Sequence, residues 1–312
     1  MNWKLTLSYD GSTYHGWQVQ PTLPTIQGTL AAVLHHLTGE TVLPQGSGRT
    51  DAGVHALAQV TSFQLEAAIP PENLLRALNR ALPPSIRILS ADPAPETFHA
   101  RHSAVAKTYE YRIFPRRHLH DTTDRICPPF LAPYVWDCRW PLDLPPMQTA
   151  ATHLLGTHNF TSFAAADPDL TQRTKTIPDE PQIRVPYPFA PLQKGGVSSE
   201  ARPLPPMSAA TTEPTSAPNP TKTITQSTFT LEDDLFIYRI TGSGFLHHMV
   251  RNIVGTLTEI GRGALSPNDI PRILAARNRT AAGPTAPASG LFLHTVHYDS
   301  LLPIPYSLLP AL

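Results

Sequence analysis

The sequence predicts an α+β protein of two lobes, residues 1–115 and 116–312. Three observations predict it. Strand-like and helix-like hydrophobic patterns alternate through the first hundred residues, in the order strand, helix, strand, helix, strand. The second half again supplies strand and helix patterns, without strict self-similarity. The chain has 312 residues, 41% of them hydrophobic, enough for one large core or two ordinary ones.

Leu5, Leu7 and Tyr9 alternate with polar residues, as in a half-buried strand. Thr25 caps a helix whose apolar positions Ile26, Leu30, Val33, Leu34 and Leu37 recur at helical spacing, and Gly39 stops it. Leu57–Leu65 reads as a strand. Pro71 opens a second helix lined by Leu74, Leu75, Leu78 and Leu82, and Ile86–Ala91 is a short strand. This order suggests helices on one face of a sheet. Next comes a strand with Tyr109, Tyr111 and Ile113 on one face and Thr108, Glu110 and Arg112 on the other. Met147–Leu155 reads as a helix ending at Gly156. Thr223–Leu231 and Leu235–Thr241 form a hairpin turning at Glu232-Asp233-Asp234. Gly242-Ser243-Gly244 opens the longest helix, with Leu246, Met249, Val250, Ile253, Leu257 and Ile260 on its core face. Ser266–Asp269 caps one more helix through about Arg277, and Gly290–Tyr298 is a closing strand.

Proline, at 35 residues, is the compositional anomaly. Eleven prolines lie between Pro178 and Pro220 among Ser, Thr and Ala. Such a stretch buries too little apolar surface to offset its ordering entropy, so 184–222 is expected to be a mobile insertion. Its Arg184, Lys194, Arg202 and Lys222 allow weak RNA contact, but a solvated loop is the simpler reading. The tail Leu301–Leu312 is also proline-rich, with five leucines that suit packing on a surface.

Lys+Arg and Asp+Glu are both 24, so the formal net charge is zero and a nucleic-acid partner must meet a local basic patch. The N-terminus Met1-Asn2-Trp3-Lys4 runs straight into a strand pattern, with no apolar run of signal-peptide or membrane-spanning length. A soluble cytoplasmic protein is expected. Cys127 and Cys138 lack redox or zinc spacing. The adjacent His35 and His36 face different ways on their helix, and His247-His248-Met249-Val250-Arg251 lacks the glutamate and spacing of a metalloprotease helix. G-x-G-x-x-G, Walker A and G-x-S-x-G motifs are all missing. Neither a metal nor a cofactor is expected.

The chemistry that remains centres on Gly46-Ser47-Gly48-Arg49-Thr50-Asp51-Ala52-Gly53-Val54-His55-Ala56. Glycines bracket one cation, one hydroxyl and one carboxylate ahead of a strand, a place where a scaffold can hold a reactive group in the open. Taken alone, this loop reads first as an Asx-turn, with Asp51 bonding its own backbone, and the rest of the chain reverses that reading. Tyr14, Trp17 and Gln18 lie in the aromatic loop Tyr9–Gln20, suited to stacking on and reading an unpaired base, although Trp17 also suits a core anchor. Arg101–Arg117 holds five Lys/Arg and one Glu, with Lys107 and Tyr109 among them. Basic residues interleaved with aromatics suit an RNA surface, the reading preferred here over a strand edge blunted with charge. Arg251 lies beside the apolar face of its helix, where it either pairs with a carboxylate or snorkels to solvent. An RNA isomerase built on Asp51 needs no oxidant, energy source or group donor. A carboxylate-dependent hydrolase would need a second acid about 5–10 Å away, and Asp10, in a turn-like Tyr-Asp-Gly context, is the nearest candidate by motif. A non-catalytic RNA-binding protein is the third reading.

The segments Tyr9–Gln20, Gly48–Ala56, Phe98–Tyr111, Gly156–Phe163, Gly244–Gly255 and Ala286–Tyr298 resemble, in order, the motifs of the TruA-type tRNA pseudouridine synthases. The resemblance covers nearly the whole chain outside the proline insertion and the tail. It implies two similar α/β lobes, each a mainly antiparallel sheet with helices on one face, and an active-site cleft between them. It implies conversion of uridine to pseudouridine at positions 38, 39 and 40 of the tRNA anticodon stem-loop, the uracil being detached, turned and rejoined through C5. Asp51 matches the essential aspartate, attacking ribose C1′ or uracil C6 or acting through a glycal. Tyr109 matches the tyrosine that stacks on the target base and is a candidate acceptor of the C5 proton. Arg251 matches the arginine that pairs with the aspartate, and Arg49 would face the flipped nucleotide. Tyr14, Trp17, Gln18, His55, Arg101 and Lys107 complete the expected substrate-binding set. A homodimer in which one tRNA spans both subunits is implied too, which would let a chain of zero net charge bind RNA. Ala286-Pro287-Ala288-Ser289-Gly290 departs from the usual Pro-Pro of the last block.

Overall fold

The computed structural model describes residues 1–119, 121–165 and 219–299. They form a mixed α/β structure with a large, mainly antiparallel open sheet and five helices. Two compact units divide them, Met1–Gly53 with Val60–His102, and Val54–Gln59 with the described residues from Ser103 onward. The insertion read over 184–222 lies outside the described residues except for its last four, and the tail Leu301–Leu312 lies wholly outside them.

In the first unit, β1 (Asn2–Tyr9) buries Trp3, Leu5, Leu7 and Tyr9, the alternation its sequence carries. It runs antiparallel to β4 (Ile86–Ala94), with Leu5 opposite Ala91. Helix α1 (Ile26–Thr38) starts where the Thr25 hydroxyl accepts the N–H of Gly28 at 3.3 Å. It stops at Gly39, whose φ of 74° only glycine adopts without strain. Ile26, Leu30 and Leu34 are buried, whereas Leu37, read as part of the apolar face, is exposed. Helix α2 (Pro71–Ala81) presents Leu74 and Leu78 inward and packs on β4. The two-residue β2 (Gln45–Gly46) pairs with Ser62 and Thr61 of β3 (His55–Gln64). The residues between them, 47–54, are the candidate catalytic loop.

In the second unit, β5 (Ala104–Pro115) runs antiparallel to β9 (Leu235–Gly242) on one side and β10 (Leu291–Tyr298) on the other. The start of β3 lies parallel to β10, His55 opposite Phe292. The short β6 (Trp136–Cys138) pairs with the end of β5. Helix α3 spans Leu144–Thr152 rather than 147–155, because Pro145 and Pro146 fit a first helical turn, where no N–H is needed. After it, β7 (Gly156–Asn159) pairs with β8 (Thr221–Glu232). The β8–β9 hairpin turns at Asp233 and Asp234, with φ of 45° and 68°. The next helix, α4, begins at Met249 and ends at Gly261. Gly242 belongs to β9 instead, and His248, at φ 58°, is left-handed and keeps the helix from starting earlier. At 13 residues α4 shares the greatest length with α1 among the described helices. Helix α5 (Asp269–Ala276) lacks a side-chain cap from Asn268; the Asp269 carboxylate instead accepts the N–H of Ser266 at 2.9 Å. Among the described residues no helix is long and apolar enough to cross a membrane.

Candidate active site

The Asp51 loop is held by backbone on both sides. The Thr50 carbonyl accepts the N–H of Trp17 at 3.0 Å, and the N–H of Gly53 reaches the Tyr14 carbonyl at 3.3 Å. Before the loop, Ser47 donates its N–H to Val60 at 2.8 Å. The Thr50 hydroxyl meets the Tyr9 hydroxyl at 2.8 Å, both buried. At the closest approach stands Gly16, φ +86°; a Cβ there would lie 2.5 Å from the Thr50 carbonyl oxygen and 3.1 Å from the Asp51 carbonyl carbon. Asp51 therefore sits half-buried on a main chain fixed from Tyr14 to Trp17. A carboxylate so placed loses little orientation entropy when it meets a reacting atom.

Around it in the first unit, Arg49 is exposed and Gln18 half-buried. Tyr14 is buried, its hydroxyl bonded to Ser85 at 2.9 Å. Trp17 corrects the base-stacking expectation: it is only 1% exposed, and its indole lies against Gly46, where a Cβ would come within 2.6–2.8 Å of the ring. It is the core anchor beneath the loop. Arg101 is exposed beyond β4, in the turn where His99 Nδ1 accepts the N–H groups of Arg101 and His102. The Asp10 carboxylate accepts both the N–H (2.9 Å) and the hydroxyl (2.6 Å) of Ser12. That is the turn its sequence context suggested, and it weakens Asp10 as the second acid of a hydrolase.

In the second unit, Tyr109 stands on β5 opposite Leu293 and Ile240, 8% exposed, its ring meeting the edge of Phe245 at 5.0 Å. Lys107 lies on the same strand, half-buried, between Val296 and Gly242. His55 departs from the substrate-binding expectation, since it is buried at 1% exposure and stacked on Phe292 at 4.7 Å, with Tyr134 at 5.3 Å. Arg251, on the first turn of α4, gives its Nε–H to the Ala286 carbonyl at 2.8 Å, while Ala286 returns its N–H to the Arg251 carbonyl at 3.1 Å. Its charge also reaches the Tyr111 phenol. Burial nonetheless pushes that group's pKa well above the ordinary value, so it stays protonated and donates to the Pro287 carbonyl at 2.7 Å. The apolar neighbours on α4 drew attention to Arg251, but not to its bond with the Ala286 carbonyl. Gly16, Thr50 and the segment 279–287 were not legible, because their importance lies in contacts between distant stretches of chain.

A carboxylate on a backbone-fixed loop can serve as a nucleophile or a general base. Comparison with known proteins narrows this. The family model described as tRNA pseudouridine synthase matches residues 6–103 and 207–299. "tRNA pseudouridine synthase A" of Solibacter usitatus (strain Ellin6076) is 42% identical over 297 residues, 95% of this chain and 98% of that one. The proteins of the same description from Moorella thermoacetica (strain ATCC 39073 / JCM 9320) and Bacillus subtilis (strain 168) are 41% and 35% identical, over 95% and 96% of this chain and 98% and 100% of theirs. The chain belongs to the tRNA pseudouridine synthase family.

Proposed function

We propose that the chain isomerises uridine to pseudouridine at positions 38, 39 and 40 of the tRNA anticodon stem-loop, with Asp51 as nucleophile. The observation that carries this reading is the Asp51 loop, which lies inside the matched residues and presents a carboxylate on a main chain pinned by the Tyr14–Trp17 segment. The reaction conserves every atom: the N1–C1′ bond breaks, the C5–C1′ bond forms, C5 loses a proton and N1 gains one. Positioned acid, base and nucleophile suffice for it. Arg251 pairs with Asp51 and keeps it ionised and aimed. Tyr109 stacks on the target base and stands near its C5 proton. Arg49, Gln18, Arg101 and Lys107 contact the RNA. Flipping a base at the stem–loop junction costs only a few kcal/mol.

In this reading residues 1–115 and 116–312 form two similar lobes with helices on one face of each sheet, and a cleft between them takes the tRNA. The protein works in the cytoplasm as a homodimer, one tRNA meeting both subunits. Support comes from the family assignment. The test is tritium release from tRNA labelled at uracil C5, by the intact protein and by Asp51→Asn. Release by the intact protein alone, mapped to the anticodon arm, is expected. Release by both proteins would remove Asp51 from the chemistry.

A further inference from the structure

Arg279 stands outside every motif the sequence displays, yet its guanidinium is half-buried and has no carboxylate partner among the described residues. A partly desolvated cation without a counter-charge is retained where its hydrogen bonds are needed. All of them go to one place. Nη1 donates to the Gly283 carbonyl at 2.9 Å and to the Ala282 carbonyl at 3.4 Å. Nη2 donates to Asn252 Oδ1 at 3.1 Å and to the Thr285 hydroxyl at 3.2 Å. Asn252 follows Arg251 on α4 and is fully buried. Its Oδ1 also accepts the Thr285 hydroxyl at 2.7 Å, and its Nδ2 donates to the Phe163 carbonyl at 2.7 Å. The Thr256 hydroxyl, one turn on, accepts the N–H of Gly283 at 2.9 Å. Gly255 completes the seat, since a Cβ there would overlap the Pro284 carbonyl oxygen. Segment 282–286 is thus laid directly on α4. Its end, Ala286, is the residue whose carbonyl holds Arg251 Nε.

We propose that Arg279, acting with Asn252 and Thr285, is a positioning residue for Arg251. It fixes segment 282–286 against α4, so that the Ala286 carbonyl pins the Nε end of the guanidinium and sets the direction of its Nη groups. The effect on the reaction rests on the reading above that Arg251 belongs to the catalytic machinery, whereas the effect on Arg251 itself does not. A backbone carbonyl on Nε fixes the plane of the guanidinium and so the direction in which its parallel Nη N–H bonds point, the geometry that a bidentate pair with a carboxylate uses.

The test measures hydrogen exchange of the Arg251 Nε–H by nuclear magnetic resonance in the full chain, beside kcat and KM for tRNA. Arg279→Ala is expected to speed that exchange and to lower kcat about ten- to hundredfold, with KM nearly unchanged. Arg279→Lys, which keeps the charge and one donor, recovers part of both. Thr285→Val removes one hydroxyl at constant shape and serves if Arg279→Ala does not fold. Unchanged Nε–H exchange in whichever of these variants folds would overturn the proposal, whatever happens to unfolding temperature. Faster exchange with unchanged kcat would leave the positioning intact and remove Arg251 from catalysis instead.

Discussion

Gly16→Ala tests whether the Asp51 carboxylate, the nucleophile proposed above, is aimed by its backbone. The added Cβ would lie 2.5 Å from the Thr50 carbonyl oxygen, against the 3.0–3.4 Å that already marks a tight contact, a shortfall of 0.5–0.9 Å. No flexible side chain can absorb it, since the next atoms met are the Asp51 carbonyl carbon at 3.1 Å and the Ala52 nitrogen at 3.2 Å. Gly16 also sits at φ +86°, where an alanine costs about 1–2 kcal/mol. Overpacking adds about 1–3 kcal/mol. Both penalties are relieved if the Thr50–Ala52 main chain retreats, which breaks the Trp17–Thr50 hydrogen bond and moves Asp51. Displacement on this scale costs about ten- to hundredfold in rate. The assay is C5 tritium release under saturating tRNA, with tRNA affinity and unfolding temperature measured in parallel. The expected result is a large fall in kcat with affinity nearly kept. A variant whose kcat stays within about twofold of the parent would refute the claim that this contact aims the carboxylate.

Two further outcomes concern stability. Replacing Asp233-Asp234 by Asn-Gly is expected to stabilise the protein by about 1 kcal/mol, because both residues hold left-handed φ values that Asn and Gly adopt more readily. The lost Arg125–Asp234 pair at 3.2 Å is largely exposed and contributes little; a urea midpoint that does not rise would contradict this. Above neutrality, burial pushes the Cys138 thiol from 9.0 up to about 11 and raises the phenols of Tyr111, Tyr238 and Tyr298 above 10.0. The folded state then keeps protons that the unfolded chain has released. Stability is therefore full below about pH 9 and falls as pH rises from 9 through 11. Unfolding midpoints that stay flat between pH 8 and 11 would show that these groups are not protected by burial, and Tyr238→Phe should shallow the slope above pH 10.

Local signals served the sequence reading where the determinants were local. Thr25 and Gly39 bounded α1 to the residue, and Leu5, Leu7 and Tyr9 declared β1. Where a distant contact decides, the pattern misled. Trp17 looked like a stacking platform because its loop is rich in aromatics, but Gly46, far along the chain, offers the flat seat that buries it. His55 followed the reactive block in sequence, yet its ring is taken up by Phe292 and Tyr134. The start of α4 was misplaced because glycines suggest helix boundaries, whereas the boundary is set by the φ of His248, which composition does not reveal. Asp51 drew notice through its glycine-bracketed loop, which alone left an Asx-turn open; Gly16, which packs against that loop, belonged to another motif.

The pairing of β3 with β10 carries a consequence for how the protein is made. Residues Val54–Gln59 belong to the second compact unit although the stretches on either side of them belong to the first. Their ladder partners, Phe292 and Leu293, are among the last described residues. During synthesis His55 leaves the ribosome long before the strand that seats it, so this pairing waits for nearly the whole chain. Contacts of such separation carry the largest loop-closure cost and form late. The residues directly after Asp51 are therefore locked among the last, and a nascent chain cut short before β10 would carry the Asp51 loop without the strand that anchors its downstream end.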